Sequence, residues 1–353
     1  MIHFNIHPSF KINGASFLES LDLISFFKEK GIEGVAFLEE WFDEKEYVLA
    51  KTSGSTGVPK EIKIKKEQML NSASATGIYF NLIPGTKALL CMSSDFIAGK
   101  MMWVRALFLG WELTVVPVSS APLKNTKVNF DFAAMVPLQL SNSLEELDRV
   151  KTLIVGGGVV SKELAIKIQD LKTEIYATYG MTETVTHIAI KKLNKTDQEE
   201  GELYHALPSV TLSLDKRGCM IIDAPKIADD KVVTNDLIRL VSETSFEWLG
   251  RYDSVINSGG IKLIPEQIEN KISKVIESNF FVSGIPDSIL GEKVVLVIEG
   301  ENEKKLNNSD IKEFLSNAEL DTYQFPKEIY FVDKFITTET GKIKRAAILK
   351  KYL

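Results

Sequence analysis

The chain has 353 residues, of which 44% are hydrophobic and 25% are charged, values ordinary for a globular protein of about two domains. A net charge of −6 argues against a general nucleic-acid binder, and no apolar run reaches the ~18 residues of a membrane span. The two cysteines, Cys91 and Cys219, form no C-x-x-C pair, and the N-terminus has no signal-peptide pattern, so we expect reduced thiols and a cytoplasmic protein.

The first predicted element is a helix. Ser16 and Glu19 have the spacing of a capping box, apolar residues follow at helical intervals, and Gly31 would end the helix. The apolar positions are Phe17, Leu18, Leu21, Ile24 and Phe27.

A hydroxyl-rich loop follows the next predicted strand, residues 47–50. Residues 51–60 read K-T-S-G-S-T-G-V-P-K, and residues 61–65 then alternate in polarity, which favours a second strand. Backbone N–H groups, hydroxyls and the Lys60 charge could together surround a polyphosphate. A Walker A loop is excluded, because Pro59 precedes the lysine and Glu61 follows it. A flexible surface turn stays open as an alternative.

Strands and helices then alternate along the chain. Residues 66–80 and 101–109 are predicted helices, residues 88–92, 113–118, 152–155 and 174–177 are predicted strands, and Ser161 would cap a helix ending near residue 171. This order predicts a layered α/β domain with a substantially parallel sheet and an adjoining region of short strands. From residue 253 onward, a helix beginning at Pro265, two strands and a helix near residues 310–317 predict a small α+β domain. The helix at Pro265 would have one apolar face, formed by Ile264, Ile268, Ile272 and Val275.

Four polar clusters carry the functional signal. They are the loop at 51–60; Y-G-M-T-E at 179–183; T-N-D at 234–236 with G-R-Y-D at 250–253; and T-G-K-I-K-R at 340–345. Each alone is more often an ordinary turn, ion pair or solvated surface. In this order and spacing, they resemble the core motifs of the adenylate-forming superfamily, which includes acyl-CoA synthetases, peptide-synthetase adenylation domains and luciferases. The resemblance spans residues 50 to 346, and within the superfamily it is greatest to the 2-succinylbenzoate–CoA ligases of menaquinone synthesis.

The resemblance implies an enzyme that joins a carboxylic acid to coenzyme A, using ATP and Mg²⁺. It implies a nucleotide- and acyl-binding domain at residues 1–252 and a mobile domain at residues 253–353, with Asp253 as the hinge. The implied ATP-binding residues are Thr52, Ser53, Gly54, Ser55, Thr56, Gly57, Lys60, Gly156, Gly157, Gly158, Tyr179, Gly180, Asp236 and Arg251. The implied catalytic residues are Thr182, Glu183 (also the metal ligand) and Lys342; Phe96, Gly99 and Arg105 would line the acyl pocket, and Ser258, Gly259 and Gly260 the coenzyme A channel.

Three departures from the family pattern bear on these expectations. The phosphate loop begins at residue 52, so part of the usual N-terminal subdomain would be missing; Glu61 replaces a glycine; and Phe96 replaces a histidine before the acyl-pocket helix. Other acyl-CoA or carrier-protein ligases and a non-catalytic nucleotide-binding remnant therefore stay open. A dinucleotide-binding fold is disfavoured, because G-G-G-V-V-S lacks the third spaced glycine. The sequence leaves the oligomeric state open, and a homodimer is possible.

Overall fold

A computed structural model describes residues 6–51, 61–124, 126–196, 203–276, 278–300, 313, 315–338 and 343–353. The chain divides into two compact units. Unit 1 comprises residues 1–212, 222–232 and 241–246, and unit 2 comprises residues 213–221, 233–240 and 247–353. No helix among the described residues is both long and apolar enough to cross a lipid bilayer. The division at residue 253 stays a prediction.

Unit 1 is built on a largely parallel sheet. The strands of unit 1 are β1 (Lys11–Ile12), β2 (Ala15–Ser16), β3 (Tyr47–Lys51), β4 (Glu61–Lys65), β5 (Lys87–Leu90), β6 (Glu112–Val115), β7 (Phe130–Met135), β8 (Val150–Val155), β9 (Glu174–Gly180), β10 (His187–Lys192) and β11 (Tyr204–Ala206). Strands β3 and β4 form a separate two-stranded sheet, and the others belong to the large sheet. The spatial order is β11-β10-β9-β8-β7-β5-β6-β1-β2, with parallel pairing from β9 to β1. Strands β10 and β11 add antiparallel pairs, so the predicted α/β layering with an adjoining short-strand region is confirmed.

The helices of unit 1 are α1 (Ser20–Lys30), α2 (Val35–Phe42), α3 (Lys66–Tyr79), α4 (Ile97–Leu109), α5 (Pro137–Ser141) and α6 (Lys162–Lys167), with a 3₁₀ helix at Leu144–Arg149 and another at Thr182–Thr184. Strands β7 and β8 bury apolar residues against α5 and α6, which forms a core around Phe130, Leu153 and Ile175. Ser161 accepts a hydrogen bond from the Leu164 amide, which confirms the predicted cap.

The predicted start of the first helix is wrong. Ser16 ends β2, and α1 begins at Ser20 with Glu19 as an N-cap residue that makes no side-chain cap. Leu18 and Leu21 are exposed, and Leu23 and Phe27 are the helix residues that are fully buried. The hairpin β1–β2 takes Ser16 into a strand, and this pairing overrides the local capping signal. The predicted stop at Gly31 is confirmed by its left-handed backbone.

Strands β12 (Thr211–Leu214), β13 (Cys219–Asp223), β14 (Val232–Ser242) and β15 (Ser245–Arg251) contain residues of both units. Unit 2 adds β16 (Ile256–Ser258), β17 (Ile261–Leu263), α7 (Pro265–Ile272), β18 (Phe280–Asp287), β19 (Gly291–Glu299), β20 (Glu328–Val332) and α8 (Arg345–Tyr352), with 3₁₀ turns at Tyr252–Ser254 and Ser316–Ala318. The order in its sheet is β17-β16-β19-β18 with antiparallel pairing throughout, and β20 also pairs with β19, in parallel. Helix α7 buries Ile268 and Ile272 against this sheet, which confirms the predicted apolar face.

Candidate active site

The hydroxyl-rich loop connects the two strands of an antiparallel hairpin. Strands β3 and β4 pair from Tyr47 with Lys65 to Lys51 with Glu61, so the predicted strands on both sides of the loop are confirmed. Residues 52–60 lie outside the described residues, and the roles of Thr52, Ser53, Gly54, Ser55, Thr56, Gly57 and Lys60 stay predictions. The hairpin brings the two ends of this segment together, as an anion-binding loop requires.

Glu40 on α2 holds this hairpin in place, a role that no pattern in the sequence indicated. One carboxylate oxygen accepts a hydrogen bond from the Leu49 amide at 2.6 Å, and the other lies 3.0 Å from Lys100 Nζ on α4. Lys100 is nearly buried and also lies over the Phe37 ring. Glu40 therefore links the strand before the phosphate loop to the predicted acyl-pocket helix. No sequence motif marks such a pairing across 60 residues.

The carboxyl ends of β8 and β9 lie side by side, which brings the predicted nucleotide-binding run Gly156–Gly158 close to the Y-G-M-T-E turn. Gly156 follows β8, where an added Cβ would lie 2.4 Å from Thr178 Oγ1 on β9. Gly180 ends β9, where a Cβ would lie 2.2 Å from the Thr186 carbonyl oxygen. Only glycine fits either position, so both glycines have a packing reason besides any contact with a nucleotide. Gly157 has a left-handed backbone, and Gly158 packs near Pro137.

The Y-G-M-T-E turn presents different groups at this edge. Tyr179 packs edge-on against Phe246 at 5.3 Å between ring centroids, and Phe246 stacks on Tyr204. Thr182 is half-buried in the following 3₁₀ turn, and Glu183 beside it is exposed. No group of three His, Cys, Asp or Glu side chains among the described residues could hold a metal ion. The role of Glu183 as a Mg²⁺ ligand stays a prediction.

Arg105 is buried in the middle of α4 and exposes only 1% of its surface. Among the described residues, its Nε and Nη2 atoms have no hydrogen-bond partner, and Nη1 has the Met102 sulfur at 3.7 Å. Burial lowers the pKa of this guanidinium to about 9, and no acid of the described residues opposes that shift. The carboxylate partner that a buried arginine normally needs is therefore missing from the described part of the chain.

The two other predicted acyl-pocket residues lie at the start of the same helix. Phe96 is the N-cap residue of α4, and its ring is 39% exposed. A Cβ at Gly99 would lie 2.2 Å from the Ser93 carbonyl oxygen, so glycine is required where the chain turns into α4. The structure thus places all three residues on or beside one helix without assigning their role.

Asp236, Arg251 and Asp253 form one connected group in unit 2. Asp236 is buried and accepts a hydrogen bond from Trp248 Nε1 at 3.2 Å. Arg251 lies 3.9 Å from Asp236 and binds both carboxylate oxygens of Asp253 at 2.9 Å. These hydrogen bonds lower the pKa of Asp253. The predicted ribose residues and the predicted hinge residue are thus coupled through Arg251, which the sequence did not indicate.

Ser258, Gly259 and Gly260 lie at a tight hairpin. Ser258 pairs with Ile261, so Gly259 and Gly260 are the two loop residues between β16 and β17. Their φ angles of +59° and +82° are those of a two-residue turn that glycine favours. This turn explains the double glycine structurally, and its role in a coenzyme A channel stays a prediction.

Lys342 lies outside the described residues, but the chain on its C-terminal side is firmly held. Ile343 bridges to Thr337, and the Lys344 amide donates to the Ile336 carbonyl at 2.8 Å. Arg345 Nη2 lies 2.9 Å from Glu269 Oε2 on α7. These contacts fix the end of the segment that carries Lys342.

Comparison with known proteins decides the family. The AMP-binding enzyme family matches residues 34–228, more than half of the chain. A solved acyl-CoA synthetase (AMP-forming)/AMP-acid ligase II-like protein from Dyadobacter fermentans is 39% identical, with a TM-score of 0.60 over 91% of this chain and 94% of that one. The chain belongs to the AMP-binding enzyme family. It is an AMP-forming acid–CoA ligase by family.

Relatives within this family have more specific names. A 2-succinylbenzoate–CoA ligase of Lactococcus lactis is 23% identical over 90% of this chain and 76% of its own length. A Bacillus subtilis O-succinylbenzoate coenzyme A synthetase (MenE), solved with ATP and magnesium ion, is 17% identical, with a TM-score of 0.73 over 93% of this chain and 82% of that one. At this identity the structural match shows the fold of an AMP-binding enzyme and does not give the acid.

Proposed function

We propose that this AMP-binding enzyme activates an aromatic dicarboxylate, 2-succinylbenzoate, and transfers it to coenzyme A. The observation that carries the proposal is Arg105, a buried cation whose Nε and Nη2 have no partner among the described residues. A pKa of about 9 keeps most of the guanidinium charged at neutral pH. A substrate with a second carboxylate would supply the missing negative charge inside an apolar pocket.

The first half-reaction joins two anions, so the chain's own residues have to offset charge repulsion. One carboxylate oxygen of the acid attacks the α-phosphorus of ATP, and pyrophosphate leaves. The loop hydroxyls and Lys60 would hold the β- and γ-phosphates, Thr182 the α-phosphate, and Lys342 the reacting carboxylate. Tyr179 with Gly156–Gly158 would frame the adenine, and Asp236 with Arg251 would bind the ribose hydroxyls. A bound Mg²⁺, held by Glu183, would neutralise phosphate charge.

The second half-reaction forms the thioester. The thiol of coenzyme A attacks the carbonyl carbon of the acyl-adenylate, the thiol proton is lost, and AMP leaves. Ser258, Gly259 and Gly260 would border the pantetheine, where glycines leave room. Residues 253–353 would rotate about Asp253 between the two half-reactions, so that Lys342 acts only in the first.

An acid panel tests the substrate. Purified enzyme would be supplied with ATP, Mg²⁺ and one acid at a time, and pyrophosphate and AMP would be measured with coenzyme A or a carrier protein as acceptor. We expect 2-succinylbenzoate to give the highest kcat/KM, with coenzyme A as acceptor. Preference for a monocarboxylate or a carrier protein would refute the substrate but keep the family chemistry. ATP binding without pyrophosphate release for any acid would indicate a non-catalytic protein.

Lys342→Ala tests whether Lys342 acts only in the first half-reaction. It should lower the adenylation rate about 10²–10³-fold and largely spare thioester formation from supplied acyl-adenylate. Lys344→Ala is the matched control, because Lys344 is exposed and uses its backbone amide in the structure. Equal loss of both half-reactions in Lys342→Ala would contradict the proposed role.

A further inference from the structure

A second buried group lies beside the unpaired arginine. His187 is the first residue of β10, is 4% exposed, and lies opposite Gly180, the last residue of β9. Its imidazole Nε2 lies 3.4 Å from Thr76 Oγ1 on α3. His187 is thus close to the Y-G-M-T-E turn, and the sequence analysis gave it no role.

The hydrogen bonds around Thr76 determine which ring nitrogen carries the proton. The Thr76 hydroxyl donates its only proton to the Ser72 carbonyl oxygen at 3.1 Å. Its oxygen can therefore only accept from His187, so Nε2 carries a hydrogen and Nδ1 is the basic nitrogen of the neutral ring. The imidazole can bind one more proton, at Nδ1.

Among the described residues, the Thr76 hydroxyl of α3 contacts this imidazole, and the Arg105 guanidinium of α4 is the charged group that acts on it. Neither group carries a negative charge. Burial, and next the Arg105 charge, lower the pKa of His187 well below 6.5, so the ring is neutral at physiological pH. Two basic groups therefore share a buried region in which no acid of the described residues acts on either one.

A substrate carboxylate bound here would add a negative charge beside the two basic groups. It would pair with the free guanidinium nitrogens of Arg105 and cancel the repulsion that keeps His187 neutral. We propose that His187 is a second specificity-determining residue of the acyl pocket, and that it takes up one proton from solvent when a substrate carboxylate binds beside Arg105. This inference rests on the proposed function and adds a second cation to the same subsite.

The proposal predicts a pH dependence that only the second carboxylate creates. The test compares 2-succinylbenzoate with an analogue in which one carboxyl group is replaced by hydrogen. In wild-type enzyme, the ratio of kcat/KM for 2-succinylbenzoate to kcat/KM for the analogue should rise as pH falls from about 8 to about 6. The free carboxylates do not titrate in this range, so their own protonation does not enter.

His187→Gln is the test variant, because its amide can still donate to Thr76 but cannot take up a proton. At about pH 6 it should raise KM for 2-succinylbenzoate about tenfold with little change in kcat, and near pH 8 it should approach wild type. KM for the monocarboxylate analogue should not change. His205→Gln is the matched control, since His205 on β11 lies outside the proposed site.

If His187→Gln does not fold, wild-type calorimetry replaces it. Binding of 2-succinylbenzoate at about pH 7, in two buffers of different ionisation enthalpy, should show net proton uptake. Parallel pH profiles for wild type and variant, or binding without proton uptake, would overturn the role of His187 and leave the proposed function intact. If only monocarboxylates support AMP formation, the proposed substrate fails and the His187 proposal fails with it.

Discussion

Two arginines are held in opposite ways in the two units. Arg105 in unit 1 exposes 1% of its surface, and its guanidinium has one hydrogen-bond contact among the described residues, the Met102 sulfur at 3.7 Å. The side chain of Arg345 in unit 2 is 32% exposed, lies 2.9 Å from Glu269 Oε2 and stands over the Phe281 ring at 5.7 Å. The Arg345 charge has an acidic partner within the protein, and the Arg105 charge has none among the described residues.

The acidic partner in unit 2 shows how strongly burial acts. Glu269 accepts hydrogen bonds from the Val282 amide at 2.8 Å and from Arg345, yet burial raises its pKa to about 7 against the opposing effect of Arg345. Burial thus disfavours the charged form of Glu269 even though this carboxylate has a cationic partner. A buried guanidinium without an acidic partner should be disfavoured still more in its charged form. Under the proposed function, a substrate carboxylate compensates for Arg105, which makes it a binding charge, whereas Arg345 is a structural charge.

Substitution of the binding charge should give the largest effect. We expect Arg105→Met to raise KM for 2-succinylbenzoate about 100-fold, because a charge-assisted pair with the substrate is lost. KM for ATP should change little. Steady-state kinetics with each substrate varied in turn would measure both constants, and an equal rise in the two would place Arg105 outside the acyl pocket.

Removing the structural acid should lower stability instead. Glu269→Ala leaves the Val282 amide and Arg345 without their partner, and we expect the free energy of unfolding to fall by about 2 kcal/mol. Denaturant titration would measure it. Glu319→Ala is the matched control, because it removes an exposed partner of Lys274 and should have no measurable effect. Equal effects of the two substitutions would show that the burial of Glu269 is unimportant.

The raised pKa of Glu269 predicts a pH dependence of stability. Its pKa is about 7 in the folded protein and near 4.5 when unfolded, so the folded state binds the proton more tightly. This stabilisation is full below about pH 4.5 and is lost as pH rises toward about 7. Compared with Glu269→Gln, wild type should lose about 2 kcal/mol between pH 5 and pH 7. Parallel stability curves for the two proteins would contradict the shift.

The smallest predicted effect distinguishes the two arginines most directly. Without substrate, Arg105→Met replaces an uncompensated buried charge by an apolar side chain of similar length, so the free energy of unfolding should rise by about 1 kcal/mol. Arg345→Met should lower it, because Glu269 loses its partner. Thermal unfolding of the two variants without ligand would show opposite signs. Loss of stability in Arg105→Met would mean that the arginine has a structural partner after all.

Local patterns predicted much of the fold correctly. The alternation at residues 61–65 predicted strand β4, the apolar spacing after Pro265 predicted α7, and Ser161 predicted the cap of α6. Each depends on interactions between residues close in sequence. The start of α1 was missed because the pairing of β2 with β1, and the addition of β1 beside β6, decide the state of Ser16.

For the candidate site, the ordered motifs in the sequence predicted the family correctly, and they predicted which residues would bind the nucleotide, the acid and coenzyme A. The sequence could not show that Glu40 joins Leu49 to Lys100, that Arg251 lies 3.9 Å from Asp236, or that His187 lies beside an arginine on which no acid of the described residues acts. These facts depend on residues far apart in the chain that packing brings together. Burial then decides whether a charge needs a partner, because the free energy of a charge depends on the solvent and groups around it, and only the tertiary structure sets those.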